Sequence, residues 1–158
     1  MYLIGDKVVH PMHGAGIIEE ITEERLGGKL NHYYVFRMMV SGLVLKLPVE
    51  NCEAIGIRAL YTISQIEEMM QHIPKLEVDM TTNWNRRYRE NMVKIKSGDL
   101  LEVAAVIKSL VLRETERGLS TGERKMLHSA KQILISEIVL SQESSYEEVE
   151  QQLYAALG

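Results

Sequence analysis

One cysteine, Cys52, stands in the 158 residues, so no internal disulfide can form and a reducing compartment is expected. It lies in an apolar stretch with no basic neighbour to lower its pKa, which suits a buried thiol rather than a nucleophile. No run approaches the roughly 20 apolar residues that span a bilayer. Met1-Tyr2-Leu3-Ile4-Gly5-Asp6-Lys7 lacks the basic and then apolar regions of a secretory leader, so a cytoplasmic protein is expected. Catalytic motifs are missing as well: there is no Gly-x-Ser-x-Gly, no Walker sequence and no cysteine paired with a nearby histidine, and an enzyme is not expected. His10-Pro11-Met12-His13 sets two imidazoles three apart, but Pro11 breaks a helix and no third ligand is close, so neither metal nor cofactor is expected. Gly14-Ala15-Gly16 leads into a strand-like run rather than a helix and reads as a tight turn, and Glu19-Glu20 with Glu23-Glu24 read as a solvated hairpin end.

Basic residues are scarce overall, at 18 Lys and Arg against 22 Asp and Glu, yet they are unevenly spread. Residues 1–48 are neutral, residues 49–80 carry −4, residues 81–136 carry +5 and residues 137–158 carry −5. One basic segment between acidic flanks suits a local contact with a polyanion on a protein too acidic to coat DNA.

The first part of the chain alternates short strand-like runs with turn formers. The runs are Val8-Val9, residues 15–21, residues 32–39 and residues 43–47, and Gly27-Gly28 and Ser41-Gly42 separate the later ones. Their close spacing predicts a small Tudor- or SH3-like β-barrel over residues 1–58. From residue 59 the pattern is helical. Ser64-Gln65-Ile66-Glu67 has the form of a capping box, residues 74–82 resemble a linker, and Asp99 and Ser120 each stand as helix caps. A last helix is expected from about Ser145. The predicted class is α+β, a β-barrel followed by an all-α bundle of about five helices over residues 59–158.

Thr81-Thr82-Asn83-Trp84-Asn85-Arg86-Arg87-Tyr88-Arg89 holds the only tryptophan, beside three arginines and a tyrosine. A flat ring flanked by guanidinium groups suits insertion into nucleic acid. Trp84, Tyr88, Met92 and Ile95 also share one helical face, which equally suits a core stripe.

Three segments carry a resemblance. Gly5-Asp6-Lys7-Val8-Val9-His10-Pro11-Met12-His13-Gly14-Ala15-Gly16 resembles the opening of the CarD/CdnL family of bacterial transcription regulators, a module shared with transcription-repair coupling factor. The Trp84 motif, then Lys96-Ser97-Gly98-Asp99, then residues 116–127 resemble the family's helical domain in order and spacing. The resemblance implies that the N-terminal module adds strands to the β subunit of RNA polymerase. It further implies that Trp84 wedges into the minor groove of promoter DNA at the upstream fork of the bubble, stabilising the open complex without reading an operator. Arg86, Arg87, Arg89, Arg124 and Lys125 are the expected phosphate contacts, with Arg87 equally suited to packing within the domain. Lys46 matches a basic polymerase contact of relatives. A second falls at Glu24, a departure in sign, with Arg25 beside it. A monomer is expected.

Two rival readings stand beside this one. The chain could be a protein–protein adaptor with Trp84 in its core, or a repressor with a helix in the major groove, for which no dimerisation seam is visible.

Overall fold

Gly27 and Gly28 both adopt positive φ, at 58° and 80°, and so make the tight connection between two long strands. The computed structural model describes residues 1–78 and 83–158. Those strands, β2 (Gly14–Leu26) and β3 (Lys29–Met38), pair antiparallel from Gly16↔Met38 to Leu26↔Lys29, with a register shift between Ile18 and Glu20. β1 (Lys7–His10) lies on the other side of β2, and β4 (Val44–Pro48) lies beyond β3. A two-residue strand, β5 (Arg58–Ala59), pairs with β1. Alternation along β3 drives Tyr34, Phe36 and Met38 inward, where they meet Val8, Ile18 and Cys52.

The sheet has the order β4-β3-β2-β1-β5 and does not close, so the expected barrel is corrected to an open antiparallel sheet. The physical reason lies at its ends. β5 is too short to bridge to β4, and the apolar face is covered instead by Cys52 of the short helix α1 (Cys52–Ile55) and by Ile57. Burial also pushes the Cys52 thiol up from its ordinary pKa, consistent with a structural role.

Five longer helices follow among the described residues. α2 (Ile63–His72) begins at Thr62, which exchanges capping hydrogen bonds with Gln65. The capping box therefore starts two residues before the Ser64 expected from sequence, where the same pattern repeats. α3 (Trp84–Lys96), α4 (Leu100–Arg117), α5 (Thr121–Gln142) and α6 (Tyr146–Leu157) are capped by Asn83, Asp99, Ser120 and Ser145, each side chain accepting from a backbone N–H of the first turn. Ile66, Ile107, Leu110, Leu134, Ile138 and Leu153 centre their shared core. The start of the linker-like stretch is fastened down: Ile73 is buried, and Lys108 donates to the carbonyls of Ile73, Pro74 and Leu76 at 2.9, 3.1 and 3.0 Å. Residues 79–82, including Thr81 and Thr82 of the tryptophan motif, lie outside the described residues. No described helix is long and apolar enough to cross a membrane.

The 22-residue α5 joins the helices to the sheet. Ala15 N–H donates to Ser136 Oγ at 2.9 Å, and Leu140 packs with Val9 and Ala15. The fold thereby sets the tryptophan end of the helical region and the β4 edge of the sheet on one connected frame.

Candidate nucleic-acid interface

Asn83 opens α3 by accepting from Arg86 N–H at 3.0 Å, which puts Trp84 at the first helical position. The stripe along α3 is graded: Ile95 is buried, Tyr88 and Met92 are half-buried, and Trp84 is 43% exposed. Trp84 is thus a surface residue backed by the core rather than a member of it. One ring face lies on Tyr88, with centroids 5.1 Å apart and planes 21° from parallel. Its Nε1–H donates to Ser120 Oγ at 3.3 Å. A Cβ added to Gly122 would come 3.7 Å from Trp84 Cζ2, so the indole lies against the first turn of α5.

The arginines that follow take different places. Arg87 is buried, and its Nε donates to Glu123 Oε2 at 3.0 Å, tying α3 to α5. Burial alone would push the Glu123 carboxyl up, but the Arg87 hydrogen bond and charge, with the bonds from Ser120, hold it below the usual carboxylate value. Arg86 is exposed and pairs along the helix with Glu90 at 2.9 Å. Arg89 is exposed, its Nε 3.4 Å from Asn85 O. Arg124 and Lys125 are exposed near the start of α5, the helix end that also carries the indole. The structure therefore sets Trp84 at the start of α3 against the N-terminus of α5, turns Arg87 inward as a brace, and leaves Arg86 and Arg89 exposed on a different face of α3, beside Val93, Lys94 and Glu102.

On the sheet, β4 is an edge strand, hydrogen-bonded among the described strands only to β3. Lys46 stands on it, paired with Glu24 of β2 and 5.1 Å from the centroid of Tyr33. The acidic departure at Glu24 is thus the partner of the lysine. Arg25 is exposed on β2 beside the hairpin turn. Leu43 and Val44 are also exposed, giving this edge an apolar strip that the charged residues alone did not announce. Ser120 was legible only as a helix cap, since its tie to Trp84 spans 36 positions.

Residues 2–61 match the family model of the CarD-like/TRCF RID domain, and residues 68–154 match that of the CarD C-terminal domain. The chain is also similar to the Bacillus subtilis (strain 168) protein named "Putative transcription factor YdeB", at 38% identity over 138 residues, which is 87% of this chain and 90% of the relative.

Proposed function

Because the chain belongs to the CarD family of transcription factors, we propose that it docks on the RNA polymerase β subunit and stabilises the open promoter complex. In this reading residues 1–58 form the polymerase module, acting in the manner of a Tudor-like domain, and residues 59–158 form the DNA module. The β4 edge, which among the described strands pairs with β3 alone, offers its other side for strand addition, with Lys46, Arg25 and the exposed Leu43 and Val44 beside it.

The observation that carries the reading is the half-exposed Trp84, held flat on Tyr88 in the basic part of the chain. Inserted where base pairs have already opened, the ring avoids the few kcal/mol needed to unstack a step. Its binding then favours melted over closed DNA, and only such a difference in affinity shifts that equilibrium. A difference of about 1.4 kcal/mol changes it tenfold. Arg86, Arg89, Arg124 and Lys125, all exposed, hold backbone phosphates, while Arg87 braces α3 against α5. So few phosphate contacts make free DNA binding weak, and tethering by polymerase supplies the effective concentration. One copy of the chain suffices for this arrangement.

The test is the collapse rate of polymerase–promoter open complexes without the protein, with wild type and with Trp84→Ala. Wild type is expected to slow collapse, and Trp84→Ala to lose most of that effect while still folding and binding polymerase. Equal rates in all three reactions would reject the promoter role and leave the adaptor reading.

A further inference from the structure

We infer that Ser120 is a positioning residue for the Trp84 ring, an assignment that rests on the promoter reading above and deepens it. The hydroxyl does more than cap a helix. Ser120 Oγ accepts from Glu123 N–H at 3.2 Å, which is the cap itself. It also accepts from Trp84 Nε1–H at 3.3 Å and lies 3.3 Å from Glu123 Oε1, to which its own proton is donated. A serine hydroxyl has one proton and two lone pairs, so its whole hydrogen-bonding capacity is spent at this point. Capping alone would use one of the three.

These bonds close a ring through two helices. Trp84 reaches Ser120, Ser120 reaches Glu123, and Glu123 Oε2 takes the Nε–H of Arg87 at 3.0 Å, one turn after Trp84 on α3. The indole is thereby fixed at two independent places, its N–H edge by Ser120 and its face by Tyr88. Its remaining surface is presented in one orientation before DNA arrives. A side chain ordered in advance loses less freedom on binding, so the wedge engages the fork at smaller entropic cost. With Ser120 removed, Tyr88 still supports one face and Gly122 still lies beside the ring, but the N–H edge loses its hydrogen bond.

The experiment compares wild type, Ser120→Gly, Ser120→Thr and Trp84→Ala as full-length proteins. Glycine caps a helix nearly as well as serine, and threonine restores the hydroxyl. Because Trp84 is the only tryptophan, its fluorescence anisotropy and acrylamide quenching report the indole directly. Ser120→Gly is expected to keep its melting temperature and polymerase affinity near wild type, to show a looser and more quenchable indole, and to speed open-complex collapse about two- to tenfold. Ser120→Thr is expected to restore both the anisotropy and the lifetime. An unchanged indole overturns the assignment, as does a loosened indole with a wild-type lifetime, or a lifetime that falls only in step with polymerase affinity. If Trp84→Ala shortens the lifetime and Ser120→Gly does not, the assignment alone falls. If Trp84→Ala has no effect, the promoter reading falls and takes the assignment with it.

Discussion

Arg58 and Glu137, 79 positions apart, meet in a forked ion pair, Nη1 to Oε2 and Nη2 to Oε1, both at 2.8 Å. Glu137 is completely buried in the C-terminal part of α5, and Arg58 lies on β5 at the end of the sheet. Tyr61 N–H donates to the same carboxylate at 2.7 Å, and Arg58 Nε–H donates to Gly98 O at 3.0 Å. Sheet, α5 and the α3–α4 turn are therefore joined at one guanidinium, in the planar two-point geometry that lysine cannot reproduce.

Arg58→Ala leaves a buried carboxylate without its cation and is expected to destabilise the protein by about 2–4 kcal/mol in urea unfolding. Arg58→Lys should recover only part of that loss. The double variant Arg58→Ala/Glu137→Ala should be more stable than the two single losses added together predict. Additive losses would show that the pair is not coupled.

The pair also marks where reading the sequence stops. Gly27-Gly28 and the caps Asp99, Ser120 and Ser145 are local signals, and the hairpin and helices begin or turn at these residues. Glu137 was not singled out from the sequence; a carboxylate between Ile135 and Ile138 implies a buried partner, but nothing local says which one. β5 is two residues long and leaves no periodicity to detect, so neither the end of the sheet nor its failure to close was visible. Thr62 and Ser64 both begin acceptable capping patterns, and tertiary packing chooses between them. At the candidate interface the tryptophan motif was plain, whereas the inward turn of Arg87 and the bond from Ser120 depend on Glu123 and α5 arriving from 36 positions away.

Glu143, which ends α5, is the only non-glycine residue with positive φ among the described residues, at 54°. A side chain pays about 1–2 kcal/mol in this left-handed region, and glycine avoids it at the expense of a more flexible unfolded chain. Glu143→Gly should therefore stabilise the protein by about 0.5–1 kcal/mol. A lower urea midpoint for the variant would refute this account of the helix end.

Gly14 and Gly28 share positive φ, at 93° and 80°, but differ in their surroundings. A Cβ at Gly14 would lie 2.4 Å from Ser136 Oγ and 3.2 Å from Ile133 Cα, whereas at Gly28 it would meet nothing within 4 Å. Ser136 cannot simply swing away, because its hydroxyl accepts from Ala15 N–H and donates to Ile133 O. Gly28→Ala should cost only the backbone strain of about 1 kcal/mol, and Gly14→Ala about 2–4 kcal/mol because overpacking is added. Equal urea midpoints for the two variants would show that the seam between sheet and α5 yields freely.

His10 supplies the clearest dependence on pH. Its ring is buried at the end of β1, and its Nδ1 accepts from Met12 N–H at 3.0 Å, a bond that a proton on Nδ1 would displace. Burial, then the charge of His13 with its ring centroid 4.6 Å away, lower the His10 pKa to about 4 from the ordinary 6.5. As pH falls below 6.5 the unfolded chain takes up a proton that the folded chain refuses until about pH 4. Stability is therefore full above pH 6.5, declines on acidification and stops declining from this cause near pH 4. The full loss from this one group is about 3 kcal/mol. Other groups titrate in the same range, so the useful quantity is the difference in unfolding free energy between wild type and His10→Gln, which has no imidazole to protonate. That difference should shift against wild type by about 2–3 kcal/mol between pH 7 and pH 4 in urea unfolding. If it stays flat, His10 takes up its proton as readily in the folded protein as in the unfolded chain, and the buried acceptor at Nδ1 does not control it.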